Sequence, residues 1–363
     1  MDPRVRAHAE VIADHSVSIE KGDRVEILAP TVAEDLAVAL HEKIGERGAK
    51  PSLSMRSPRA KRAFLRSCDA DDIDLPDHSL AALEETDVVI IVKGSENTAE
   101  TSDVPTEKVA ARARAHAPIQ QERMGKRWVG TQFPAPGDAQ LAEMSTEAYE
   151  EFVYGAVNKD WDEQREFQQQ MVELLDPADE VRIVSGDTTD LTMSVSVMKT
   201  INDYGEKNLP GGEVFTAPVP DSVEGEVLFD KPLVHQGNIV ENVWLEFEDG
   251  EVVDFSTEKN EEVLAGILDT DEGARRLGEL GIGMNRDIDR FTYNMLFDEK
   301  MGDTVHLAVG KAIEQTVPEG QPLNESATHV DMIVDMSEDS FIEVDGEVVQ
   351  RNGTFRFEDG YEE

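Results

Sequence analysis

Eight histidines are spread through the 363 residues, at positions 8, 15, 41, 78, 116, 235, 306 and 329, and two of them stand in strand-like runs of the second half. In "THVDM" (328–332) His329 and Asp331 are two apart. On a strand both project from one face, with backbones roughly 7 Å apart, within reach of one metal ion or two adjacent ones. Val330, Met332, Val334 and Met336 fill the opposite face and point to a core. His306 in "DTVHLAVG" (303–310) likewise faces away from Val305, Leu307 and Val309. A solvated strand face offers the same pattern, and in an acid-rich chain an Asp beside a His is an easy coincidence. Both readings stand at this point.

Carboxylate candidates are separated by their surroundings. Glu213 in "NLPGGEVFTAPVP" (208–220) follows Pro210, Gly211 and Gly212 into a short strand without other acids. Glu279 in "RRLGELGIGMN" (275–285) precedes what reads as an uncharged, glycine-rich turn. Each could equally be an N-cap, a turn acceptor or a salt-bridge partner. Cys68 is the single cysteine, which leaves no intrachain disulfide and no thiolate zinc cluster, so any metal must be held by Asp, Glu and His. Oxygen and imidazole donors suit zinc, manganese or cobalt without choosing among them.

Several other chemistries lack their motifs. "HEKIG" (41–45) has no second histidine for a metalloprotease HExxH helix. There is no phosphate-binding P-loop, no GxGxxG after the first strand and no GxSxG elbow.

The elements that must position these residues come in two textures. "DRVEILAP" (23–30), the helical stripe of "TVAEDLAVALHEKIGERGA" (31–49) closed by Gly48, "KPSLSMR" (50–56) and "TDVVIIVKG" (86–94) alternate strand and helix. This predicts a mostly parallel sheet of buried strands covered by helices. "RWVGTQFPAP" (127–136) offers a further strand, and residues 145–175 read as a long helix or helix pair capped by Ser145. After "DPADE" (176–180) short strands and tight turns take over, with hairpin signals at Asp249-Gly250, Asp345-Gly346 and Asn352-Gly353 and helical stretches near 260–280 and 286–299. The expectation is an α/β N-terminal domain over 1–176 and a mixed α+β, metal-binding catalytic domain over 177–363.

The charge balance is 34 Lys and Arg against 77 Asp and Glu, a formal −43 spread along the whole chain. Such self-repulsion is tolerable at molar salt, where the Debye length is about 3 Å, and predicts a salt-adapted protein. The same field excludes nucleic acid and anionic membranes as partners. The first twenty residues carry Asp, Glu and His where a signal peptide needs an apolar run, and no later stretch approaches ~20 apolar residues, so a cytoplasmic location is expected.

Four blocks, "NLPGGEVFTAP", "LGELGIGMN", "LFDEKMGDTVHLAVG" and "THVDM", occur in this order, with "QERMGKRWVGTQFPAPGDAQLAEMSTEAYEEF" (120–152) upstream. Together they resemble the signature blocks of the thermophilic aminopeptidase family, the metallo-exopeptidases of the aminopeptidase T and S type. The resemblance implies a site for two divalent ions (zinc, cobalt or manganese) with ligands at Glu213, Glu279, His306, His329 and Asp331. It adds Glu299 as a further ligand or base, with Glu279 and Glu299 as the carboxylates able to move a proton. It also implies peptide substrates with a free N-terminus and a homodimer. A family tyrosine falls on Ile313, so any role of that phenol is absent or supplied elsewhere. Alternatives that keep the same site are another metal-dependent amidohydrolase or deacylase, and a non-catalytic, metal-containing binding protein, which Ile313 favours.

Overall fold

Val25, Ile27 and Ala29, and Val88, Val89 and Ile90, are almost wholly buried, which is what central strands covered on both faces require. In the computed structural model, which describes residues 1–235 and 237–362, they form the middle of a parallel sheet. Its unit, Met1–Lys159 with Gly205–Gly211, runs α1 (Pro3–Val11), β1 (Arg24–Pro30), α2 (Glu34–Glu46), β2 (Lys50–Arg56), α3 (Pro58–Ser67), α4 (Asp77–Glu84), β3 (Val88–Lys93), α5 (Thr106–Met124), β4 (Arg127–Gln132), α6 (Pro136–Leu141) and α7 (Thr146–Val157). The sheet order is β2-β1-β3-β4, closed at one edge by Asn208–Leu209, and every pairing is parallel. Leu36, Leu40 and Ile44 make the buried stripe of α2, and Gly48 beyond its end has φ +69°, the left-handed conformation that glycine adopts without a steric cost.

One expectation fails in this unit. β2 is a strand, but all seven of its residues are exposed, so "KPSLSMR" is not a buried strand. It pairs only with β1 and forms a sheet edge, where polar residues at 50, 52, 54 and 56 are tolerated.

The second unit, Asp160–Tyr204 with Gly212–Glu363, starts with α8 (Trp161–Leu175). Asp160 caps this helix by accepting from the Asp162 and Glu163 amides at 3.0 and 3.1 Å. Residues 145–175 are thus a helix pair, with Ser145 capping α7 through the Ala148 amide at 3.1 Å. The expected domain boundary at 176 moves to 160, because α8 packs Met171 and Leu175 into the core of the second unit.

The strands that follow are β5 (Glu180–Ser185), β6 (Thr189–Ser194), β7 (Ile201–Asp203), β8 (the Asn208–Leu209 segment of the first sheet), β9 (Glu213–Thr216) and β10 (Glu224–Phe229). Then come β11 (Leu233–His235), β12 (Asn238–Val240), β13 (Val243–Glu248), β14 (Glu251–Ser256), α9 (Glu261–Leu268), β15 (Leu277–Gly283), α10 (Met295–Asp298) and β16 (Thr304–Gly310). The chain finishes with β17 (His329–Asp335), β18 (Ser340–Val344), β19 (Glu347–Arg351) and β20 (Thr354–Phe355).

Two sheets carry this unit. One has the order β14-β13-β10-β6-β5-β18-β19-β20, the other β17-β16-β15-β9-β7, and the pairings are antiparallel. Their apolar faces meet in one core that joins Val181, Ile183 and Leu191 to Val214, Leu280 and Leu307. Burying each such side chain contributes about 1.5–3 kcal/mol. All three expected hairpin turns form, with positive φ at both central residues (Asp249 +50° and Gly250 +76°, for example), matching the right-handed strand twist. The helical expectations overshoot: residues 277–280 open β15 rather than ending a helix, and within 286–299 only Met295–Asp298 is α-helical.

Candidate metal centre

In the five-stranded sheet, residues directly opposite one another share a face. Register places Glu213 opposite Gly283, His306 opposite Gly281, Ala308 between Glu279 and Asp331, and His329 opposite Gly310. Glu213, Glu279, His306, His329 and Asp331 therefore all rise from the face opposite the core. Between them stand Gly281, Gly283, Ala308 and Gly310, and the glycines let the His306 ring, the Met301 carbonyl and the Thr328 carbonyl lie directly on the strand backbone. The stretch after Glu279, expected to be a glycine-rich turn, instead continues as β15 to Gly283, the central strand of the site, fully buried along its length.

Gly281 is dictated by His306. A Cβ built on Gly281 would lie 1.9 Å from both Cε1 and Nε2 of the His306 ring, so the imidazole rests directly on the glycine backbone. Nearby backbone is fixed from α8. The Gln168 side-chain amide donates to the Glu213 carbonyl at 2.9 Å and to the Asp203 carbonyl at 3.0 Å, and Gln164 donates to the Met284 carbonyl at 3.1 Å. Both glutamines are buried, and they lock the β9 end and the residue just after β15.

The side chains form two overlapping trios, Glu213, Glu279 and His306, and Glu279, His329 and Asp331, in each of which one donor atom per residue lies within 4.8 Å of the others. Glu279 belongs to both. Its Oε1 is 3.5 Å from His306 Nε2 and its Oε2 is 3.3 Å from His329 Nε2. Glu213 Oε2 is 3.3 Å from His306 Nε2, and Asp331 Oδ1 is 3.3 Å from His329 Nε2. Side-chain exposure climbs from 1% at His306 to 28% at His329, so the cluster opens on the β17 side.

His329 Nδ1 lies 2.7 Å from the Lys311 carbonyl, and since a carbonyl only accepts, Nδ1 carries the proton. A neutral His329 then presents its Nε2 lone pair to the cluster, the outer hydrogen bond that orients metal-binding imidazoles. His306 Nδ1 has no hydrogen-bond partner among the described residues.

Electrostatically the site is overloaded with negative groups. Burial alone would lower the basicity of both imidazoles. At His306 the Glu279 hydrogen bond and the Glu213 charge overcome it and raise the pKa to about 9. At His329, Asp331 and Glu279 raise it to about 11. Burial pushes the Glu213 carboxyl up, against the pull of Lys300. Asp331 is held down despite its burial by the His329 hydrogen bond. Protons thus stand where cations are wanted, and a divalent ion would displace them.

The donor set fits such ions. Two imidazoles and three carboxylates converge, and Glu213 Oε2 is buried with no hydrogen-bond donor among the described residues. An unsatisfied buried carboxylate oxygen is costly unless a cation meets it.

Glu299 lies outside both trios. It is tied to the cluster by Lys300, whose Nζ pairs with Glu299 Oε1, lies 3.0 Å from Glu213 Oε1, and stands 4.0 Å from Asp203 Oδ2. Lys300 is fully buried. Burial opposes its charge, but Glu213, Glu299 and Asp203 keep it firmly protonated. Sequence reasoning missed both Lys300 and Asp203. Lysine is usually a solvated residue, and the only signal was that Lys300 follows Glu299 in a block of the resemblance. Ile313 is half-buried, just before a short turn at Glu314–Thr316.

Comparison with known proteins adds an independent line. A family model described as thermophilic metalloprotease (M29) matches residues 1–356. Aminopeptidase AmpS of Bacillus subtilis is 40% identical over 182 residues, 44% of this chain and 43% of that protein. The alignments with the curated relatives cover under half of the relatives' length. The solved structure of wild-type AmpT from Thermus thermophilus superposes with a TM-score of 0.88 at 27% identity, covering 98% of this chain and 99% of that one. A 2,5-dihydroxypyridine dioxygenase from Pseudomonas putida KT2440 shares the fold at a TM-score of 0.62 and 15% identity, over 98% of this chain and 97% of that one.

Proposed function

The chain belongs to the thermophilic metalloprotease family M29, and from that footing we propose that it is a metal-dependent aminopeptidase releasing N-terminal residues from peptides at the Glu279-centred cluster. The observation that carries this reading is Glu279, with one carboxylate oxygen turned to each histidine. The relatives named as aminopeptidases support the substrate class.

Two divalent ions would be held by Glu213, Glu279 and His306 on the buried side and by Glu279, His329 and Asp331 on the open side, with Glu279 shared. Charge supports this loading. The carboxylates of Glu213, Glu279, Asp331, Glu299 and Asp203 would carry 5−, and two dications with the Lys300 ammonium supply 5+. Such ions, when bound, would lower the pKa of water and polarise the scissile carbonyl.

The chain's own residues handle the proton. Glu279 has both oxygens turned to the cation sites, whereas Glu299 stands outside them with Oε1 held by Lys300, leaving Oε2 for a proton. Glu299 takes a proton from the attacking water and delivers it to the leaving amine, with Glu279 second in line for this role. Lys300 orients Glu299 and spreads its charge onto Glu213. Substrate approaches from the partly exposed His329 and Asp331 end.

A homodimer, a cytoplasmic location and adaptation to high salt complete the proposal. They rest on the family resemblance and on the formal charge of −43. No helix among the described residues is long and apolar enough to cross a membrane. The test is a panel of peptides with free and blocked N-termini, assayed at molar salt. Cleavage confined to free-amine peptides supports the aminopeptidase reading, and equal cleavage of blocked peptides or acyl amides overturns it.

A further inference from the structure

The first unit holds a cavity of about 990 Å³ whose charge is opposite to that of the chain. Its walls present Arg56, Lys61, Lys93, Arg112 and Arg123, against the carboxylates of Glu26 and Glu100. In a protein with 77 acidic and 34 basic residues this inversion needs a cause.

The cavity's place in the fold follows from topology. The strand order β2-β1-β3-β4 reverses direction between β1 and β3, so the connections leaving these neighbours go to opposite faces. A crevice opens at such a point beyond the carboxyl ends of the strands, where open α/β sheets bind ligands. Pro30, Arg56 and Lys93, at the carboxyl ends of β1, β2 and β3, all line it. Leu28 and Ser54, paired in register, line the cavity, and β2 remains exposed where a parallel strand is normally covered by a helix.

The basic groups crowd one another. Partial enclosure by the cavity walls and the charges of Arg123 and Arg112 lower the pKa of Arg56, whose side chain still reaches solvent, and Lys61 feels Arg112 and Arg56 in the same direction. The carboxylate that pulls on Arg56 is Glu26, which is already bonded by the Ser54 hydroxyl. On α3, by contrast, Arg62 and Arg66 share Asp103. Among the described residues, Arg56, Lys61, Arg112 and Arg123 have no ion-pair partner. Like charges held together without a counter-charge destabilise a fold unless an anion joins them.

We propose that this cavity binds a phosphate-bearing small molecule, its phosphate taken by Arg56, Arg112 and Arg123 and its uncharged part lying against Leu28, Leu83 and Ile119. The volume suits a ligand of mononucleotide size. Hydroxyls of Ser52, Ser57 and Ser79 line the same walls and can complete the hydrogen bonding. The site lies wholly within the first unit and is independent of the peptidase reading.

The test is calorimetric titration of the full chain, at molar KCl, with adenosine 5′-monophosphate, adenosine and inorganic phosphate. The nucleotide binds at least about ten-fold more tightly than the nucleoside, and Arg56→Ala and Arg123→Ala each weaken it by about ten-fold or more. Peptidase activity is unchanged in both variants. Inorganic phosphate binding as well as the nucleotide would identify free phosphate as the source of the same anion. Weaker phosphate binding would point to a nucleotide. In the absence of ligand both variants melt no lower than the parent, since a repelling charge has been removed. The proposal is overturned if neither anion binds, if adenosine binds as well as its phosphate, or if the variants keep full affinity. A large loss of ligand-free stability in the variants would also overturn it, by making the arginines structural.

Discussion

The His306 imidazole lies on the backbone of Gly281, with Nε2 only 1.9 Å from where a Cβ at that position would stand. Gly281→Ala must therefore move the ring, and with it the contact to both Glu213 and Glu279. The opposite face of β15, with Leu280 and Ile282 in the core, is untouched. Metal affinity should fall by at least about 10- to 100-fold, the usual effect of disturbing a ligand's support, with circular dichroism unchanged. Metal content after dialysis checks this, and parental retention would show that the ring position is not what builds the site.

Glu299→Gln separates the two carboxylates proposed to move a proton. Gln keeps the size of the side chain and can still meet Lys300 through its carbonyl oxygen. Turnover should fall by about 10²–10⁴-fold with metal content preserved. Parental turnover would transfer the role to Glu279.

His8 offers a pH-dependent readout away from the metal cluster. It is fully buried in the first unit, with Nε2 2.7 Å from Thr131 Oγ1, and burial pushes its pKa down to about 3. The unfolded chain takes up this proton below about 6.5, while the folded chain resists it until about 3. The stability associated with the neutral ring is thus present above about 6.5 and is lost as pH falls, by about 1.4 kcal/mol per unit. Between pH 7 and 5 the parent should lose roughly 2 kcal/mol relative to His8→Leu in urea titrations followed through the first unit. Parallel curves would contradict the assignment.

The formal charge of −43 predicts dependence on salt. Lowering ionic strength from molar to about 10 mM stretches the Debye length from about 3 Å to about 30 Å and restores repulsion across the surface. Loss of far-ultraviolet circular dichroism on desalting is expected, and an unchanged spectrum would remove the inference of salt adaptation.

How far the sequence discloses the site depends on the residue. His306, His329 and Asp331 are legible because period-two alternation separates them from Val305, Leu307, Val330 and Met332, and all four of those apolar residues are buried. Glu213 and Glu279 stand out as acids among glycines. Glycines ordinarily punctuate, so the stretch after Glu279 reads as a turn. Here they let neighbouring groups come close: a Cβ on Gly283 would meet the Met301 carbonyl at 2.0 Å, just as Gly281 meets His306. Lys300 and Asp203 are illegible because their value lies in long-range neighbours. The exposure of β2 depends on what covers an edge strand, which its own residues do not encode.

The proposal that Glu279 joins two cation sites is tested most directly by counting metal per chain alongside hydrolysis of a free-amine peptide, for the parent, His306→Ala and His329→Ala at molar salt. The parent should hold about two divalent ions and lose both ions and activity to a chelator, as two-metal hydrolases do. Each histidine variant should keep its fold, lose at least one ion and lose hydrolysis. Full hydrolysis by the chelated parent, or by either variant, would contradict it.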